Sequence, residues 1–175
     1  YPAAFMLVAA ANPCPCGFLG DPKRECKCSP RMIMRYQAKL SGPLLDRIDL
    51  HLQVPAVDID KLIAAPNAGI RQKLETSDKV RERVKRAKEI QIKRFKGAKI
   101  FTNSQMQNRD IKKFCQIEPG AQRILKQAVS SYNLSARTYF RLIKVSQTIV
   151  DLAGDTSIGP AQVAEALQYR VRVEA

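Results

Sequence analysis

Four cysteines fall within fifteen residues, as Cys14-Pro15-Cys16 and Cys26-Lys27-Cys28, and this cluster restricts the local fold more tightly than any other feature of the chain. The nine residues between the pairs, Gly17 to Glu25, are rich in turn formers, so a hairpin here brings the thiols together. Four thiolates gathered by one hairpin suit a tetrahedral zinc ion. Cys-x-Cys is tighter than the commoner Cys-x2-Cys, so the usual spacing is matched imperfectly. The alternative is four reduced thiols that bind nothing, an arrangement that packing does not readily explain. A structural zinc on Cys14, Cys16, Cys26 and Cys28 is the favoured reading. No further group of water-activating character lies near in sequence, so catalytic zinc is not expected. Cys115, on an apolar helix face, reads as core.

Two segments have strand character. Residues 1–12 read as a buried strand, continuously apolar from Phe5 to Ala11 and stopped by Asn12-Pro13. Ser41-Gly42-Pro43 then breaks the chain before a short apolar turn and Arg47, which stands among Asp46 and Asp49. The alternation Ile48-Asp49-Leu50-His51-Leu52-Gln53-Val54 predicts a second strand, closed by Pro55. Taken alone, Arg47 is best explained by a local ion pair with either acid, and His51 as structural. Between the strands, Ser29-Pro30 caps and opens a helix over 31–40.

From Val57 the pattern is helical, with a turn over 58–63 and a break at 66–69. A helix follows from a Ser77 cap to about Phe95, with Val80, Val84, Ala87 and Gln91 inward. Asn103 or Ser104 heads the next, carrying Met106, Ile111 and Phe114. Another starts near Pro119, with Ile124, Leu125, Ala128 and Val129 inward. Ser135 caps the longest, with Leu142, Val145, Ile149 and Leu152 as its core, and a last helix runs from Pro160 to about Tyr169.

The formal charge is +14, from 30 Lys plus Arg against 16 Asp plus Glu, which favours a polyanionic partner, nucleic acid first. The excess is concentrated between Arg71 and Lys99, where 12 basic residues face 4 acidic ones. A helix over 78–96 suits contact with DNA phosphates, and equally a solvated face. No apolar run approaches the ~18 residues of a membrane span. The first residues carry no basic leader, so no signal peptide is expected and the cytoplasm is the default location.

Three motifs in this order carry a resemblance: Asn12-Pro13-Cys14-Pro15-Cys16-Gly17, Ser41-Gly42-Pro43-Leu44-Leu45-Asp46-Arg47, and Leu134-Ser135-Ala136-Arg137-Thr138-Tyr139. Together they closely resemble the C-terminal part of the magnesium-chelatase-like AAA+ ATPases, in the competence protein M (YifB-type) branch. The resemblance runs from Ala4 to Arg170. It implies sensor 1 at Asn12, the arginine finger at Arg47 and sensor 2 at Arg137, with Asn12 and Arg137 touching nucleotide. Arg141, one turn beyond Arg137, can support it; action in cis or in trans stays open.

The fold so implied is mostly α. Residues 1–56 form the C-terminal remnant of an AAA+ α/β core, with two strands, one helix and the cysteine hairpin at 14–28, and residues 57–175 form an all-helical lid. The resemblance also implies ATP and Mg in the full-length protein, a hexameric ring, and DNA as substrate in branch migration or unwinding during transformation and recombination. A chelatase-like remodelling ATPase and a zinc-ribbon nucleic-acid binder without ATPase activity are the alternatives. The sequence holds no Gly-x-x-x-x-Gly-Lys-Ser/Thr loop and no strand ending in Asp-Glu. These residues alone are therefore not expected to hydrolyse ATP.

Overall fold

The computed structural model describes residues 5–40, 42–54 and 75–170. Among them lie α1 (Pro30–Gln37), α2 (Gly42–Leu45), α3 (Ser77–Arg94), a 3-10 turn (Asn103–Gln105), α4 (Asn108–Phe114), α5 (Pro119–Ser131), α6 (Ala136–Ala153) and α7 (Pro160–Gln168). The mostly α class is as expected. The turn over 58–63 and the break at 66–69 lie outside the described residues.

The two expected strands do not form. Residues 5–12 and 48–54 belong to no ladder, and the one bridge found among the described residues joins Ile117 to Ile158 in parallel. A strand persists only when a neighbour takes its backbone N–H and C=O groups. Residues 5–12 have no such neighbour among the described residues, and Met6 and Val8 stand 87% and 83% exposed. Residues 48–54 make one backbone bond of this kind, from the His51 N–H to the Tyr169 carbonyl, too few for a ladder.

Contacts divide the chain into two compact units. The first comprises Tyr1–Arg47 with Gln53–Leu62, the second Ile48–Leu52 with Ile63–Ala175. In the first, Ser29 caps α1 by accepting the Met32 N–H, and Pro30 takes the first helical position, where its missing donor costs nothing. No residue of α1 is buried. The loop before it turns twice, Gly17 N–H to the Cys14 carbonyl at 3.0 Å and Asp21 N–H to the Phe18 carbonyl at 3.1 Å. Gly17 has φ +83°, a left-handed conformation that a side chain would strain.

The second unit is a helical bundle around Phe95, Met106, Ile111, Leu125, Leu142, Ile143, Val150, Ile158 and Val163. Its helix starts follow the sequence closely: Pro119 and Pro160 open α5 and α7, and Ser135 caps α6 by accepting the Thr138 N–H at 3.2 Å. Gly154 closes α6 at φ +81°, its N–H bonding the Val150 carbonyl. Other details differ from expectation. Thr76, not Ser77, caps α3, and α4 begins only at Asn108, after the 3-10 turn.

The inner face of α3 is shorter than its periodicity suggested. Ala87 and Gln91 are buried, but every residue from 77 to 86 is exposed, Val80 and Val84 included. The stripe of α6 is rotated as well, toward Leu142, Ile143, Ser146, Gln147, Val150 and Asp151, leaving Leu152 exposed.

One polar network explains both shifts. Asp151, almost wholly buried, pairs with the Arg94 guanidinium through both oxygens, Nη1 at 2.8 Å. It also accepts from Asn103 Nδ2 at 2.7 Å and Gln147 Nε2 at 3.3 Å. Gln91 Oε1 in turn accepts the Asn103 backbone N–H. The C-terminal half of α3 is thereby fixed to α6, beside an edge-on contact of Phe95 with Phe114.

Candidate functional site

The first unit brings all four expected metal ligands together. Cys14, Cys16, Cys26 and Cys28 place their sulfurs within 4.8 Å of one another. The Cys14–Cys16, Cys14–Cys26 and Cys16–Cys26 separations are 3.4, 3.7 and 3.6 Å. A regular tetrahedron with Zn–S bonds of about 2.3 Å has edges of about 3.8 Å, so Cys14, Cys16 and Cys26 are spaced as zinc ligands would be, with the Cys28 sulfur near enough to make a fourth. The hairpin that gathers them is braced locally. Asp21 Oδ1 accepts the Lys23 and Arg24 N–H groups, and the Arg24 guanidinium lies 5.1 Å from the Phe18 ring centre.

The thiols do not titrate alike. The Phe18 backbone N–H holds Cys16 down at about 6, helped by the neighbouring thiols and opposed by desolvation. At Cys26 the Cys28 N–H acts downward, but desolvation and the three other thiols outweigh it and push the group up to about 12. Cys28 is also raised. A cluster with one favoured thiolate and reluctant neighbours is one that a bound cation would complete.

Asn12 stands beside this hairpin. Its carboxamide lies over Gly17, where an added Cβ would sit 3.7 Å from Nδ2, and its side chain is otherwise exposed. Gln37 Nε2 bonds the Pro13 carbonyl at 3.2 Å, which ties α1 to the same turn. Arg47 is exposed at the end of α2, where its guanidinium donates to the Pro43 carbonyl at 2.7 Å. Asp49, expected to brace it, pairs instead with Arg141 at 3.2 Å.

In the second unit Arg137 occupies the exposed first turn of α6. With Asn108, Ala136, Phe140, Arg141 and Lys144 it lines a shallow pocket of about 340 Å³. Three cations on one helix face, above a helix N-terminus, make this an anion-accepting surface. Lys144 Nζ donates to the Ser104 carbonyl at 2.9 Å, and desolvation lowers its pKa against the upward pull of Asp49. Sequence reasoning missed Lys144, which shares the α6 face at i+7 from Arg137 and was readable from helical spacing. It also missed Arg170, whose Nη1 bonds the Ile48 carbonyl 122 residues away and left no local signal.

Residues 74–170 match the family described as magnesium chelatase, subunit ChlI C-terminal, and residues 1–62 match magnesium chelatase, subunit ChlI. The competence protein ComM of Haemophilus influenzae is 42% identical over 174 residues, covering 99% of this chain and 32% of that protein. The uncharacterized protein YifB of Escherichia coli is 37% identical over 175 residues, covering 97% of this chain and 31% of YifB. The chain thus spans about a third of the length of these relatives. On these matches the chain belongs to the magnesium chelatase subunit ChlI family of AAA+ proteins, in its ComM/YifB-type branch.

Proposed function

We propose that this chain supplies the nucleotide-sensing and trans-acting residues of an AAA+ ATPase that works on DNA as a hexameric ring in the cytoplasm. The observation that carries the reading is the cationic pocket of Arg137, Arg141 and Lys144 at the capped start of α6. It suits the terminal phosphates of ATP, as sensor 2 requires. Asn12 serves as sensor 1, its amide exposed for a phosphate or a water. Arg47 serves as the finger, entering the neighbouring subunit's site. There it offsets charge on the transferred phosphoryl group, an effect worth ~10³–10⁵ in rate. Its bond to the Pro43 carbonyl is a local one, readily exchanged for a phosphate. ATP with Mg supplies the phosphoryl group and its counterion; the sequence holds no phosphate loop, so the nucleotide is gripped by other parts of the full-length protein.

The cysteine hairpin holds a structural zinc on Cys14, Cys16, Cys26 and Cys28. The sulfur spacing supports this, and the first ligand, Cys14, lies two residues after the proposed sensor, Asn12. DNA is the favoured substrate because the exposed half of α3 carries Lys79, Lys85 and Arg86 without acidic partners among the described residues, with Lys88 and Lys93 continuing the charge. No helix among the described residues is long and apolar enough to cross a membrane. ATP turnover by the full-length protein, with and without DNA, tests the substrate. A several-fold rise on adding DNA is expected. Turnover indifferent to DNA would favour remodelling of a protein target.

A further inference from the structure

We propose that Asp49, Arg141 and Arg170 form a releasable tie between the helix that carries Arg137 and the segment that follows Arg47, and that nucleotide phosphate opens it. This rests on the reading of Arg47 and Arg137 given above and adds a regulatory device to it. Three contacts hold Ile48–Leu52 within the helical unit. Arg141 Nη1 pairs with Asp49 Oδ1 at 3.2 Å, Arg170 Nη1 donates to the Ile48 carbonyl at 3.2 Å, and the His51 N–H donates to the Tyr169 carbonyl at 2.8 Å. Arg170 reaches further: its Nη2 donates to Thr138 Oγ1 at 3.3 Å. Thr138 is buried, follows Arg137 in the chain and is bonded to the Ser135 cap. Two hydrogen bonds thus connect the residue after Arg47 to the residue after Arg137.

The tie is built to yield to an anion. Arg141 and Lys144 stand between two hollows. On one side they line the pocket of Arg137, and on the other, with Leu50 and Asp49, a hollow of about 330 Å³. A phosphate entering beside Arg137 competes with the Asp49 carboxylate for the same guanidinium. Asp49 is the more solvated partner, its side chain 55% exposed against 23% for Arg141, so it gives up little on release. The segment is then held down when the pocket is empty and freed when it is loaded, which makes Asp49 and Arg170 positioning residues for the finger. Competition is reciprocal: whatever nucleotide takes from Asp49, Asp49 takes from nucleotide.

The test uses the full-length protein and a non-hydrolysable ATP analogue. Asp49→Asn should raise analogue affinity by about 5-fold or more, the lower range of such couplings. A residue that merely supported the fold would lower affinity when changed. In parallel, hydrogen exchange at 48–52 should quicken when analogue binds the native protein, and should already be fast in the variant without it. Unchanged affinity in Asp49→Asn at an unchanged melting temperature, with exchange at 48–52 indifferent to analogue, overturns the tie. Arg47→Ala separates this failure from a deeper one. If that variant loses turnover while Asp49→Asn behaves as native, only the tie is wrong; if it turns over normally, the finger reading and the tie fall together.

Discussion

Asp151→Ala should be the most damaging single substitution away from the proposed nucleotide contacts. Its carboxylate is 2% exposed and accepts from four donors: two guanidinium nitrogens of Arg94, Asn103 Nδ2 and Gln147 Nε2. Removing it takes the counter-charge from a guanidinium whose side chain is only 16% exposed and leaves it the neutral Asn103 Oδ1, while Gln147 Nε2 loses its acceptor and Asn103 Nδ2 keeps Thr148 Oγ1. Breaking a buried pair from one side costs about 3–5 kcal/mol. The residual exposure of Arg94 places this case near the lower end, about 3 kcal/mol. For a unit of this size that lowers the melting temperature by roughly 12 °C or more. Urea denaturation followed by circular dichroism measures the loss. The double variant Arg94→Met/Asp151→Leu provides the control, because an apolar pair of similar volume should recover most of the stability. A loss below about 1 kcal/mol in Asp151→Ala, or simple additivity in the double variant, would refute the network as the anchor of α3.

Further outcomes are expected at the cysteines and along α3. Purified protein should contain one zinc per chain, and chelation should expose four additional thiols; affinity for the metal should fall with falling pH, since the ligands must be deprotonated. Cys115 should alkylate slowly until the pH nears 11, because burial pushes its thiol up to about 11. Replacing Lys85, Arg86 and Lys88 with Gln in the full-length protein should reduce the slope of log affinity for duplex DNA against log salt by about 2.7, at about 0.9 per lost phosphate contact. Fluorescence anisotropy of a labelled oligonucleotide reads this directly, and an unchanged slope would remove α3 from the DNA surface.

The sequence announced helix starts far better than helix faces. Ser29-Pro30, Pro119, Ser135 and Pro160 each mark the observed start because a cap or a first-turn proline acts within a few residues. The faces of α3 and α6 were misjudged because apolar periodicity cannot register a buried ion pair. Arg94 and Asp151 meet across 57 residues, and the polar Gln147 and Asp151 occupy positions that an apolar stripe would assign to core. The strand character of Phe5–Ala11 and Ile48–Val54 was legible as pattern, but a ladder needs partners that no local pattern supplies. The thiol cluster was legible because ligands, turn and spacing all sit within one short loop. Asp49 was visible as an acid near Arg47; its choice of Arg141 depends on a contact across 92 residues.

If Arg47 acts chemically on a bound nucleotide, its loss is felt in turnover and not in affinity. The most direct measurement is steady-state ATP turnover by full-length Arg47→Ala, with nucleotide affinity determined on the same preparation. A fall in turnover of ~10³ or more with affinity within a few-fold of native is expected of a finger that contributes only in the transition state. Native turnover with equal affinity would contradict the assignment and leave Arg47 as a surface residue of α2.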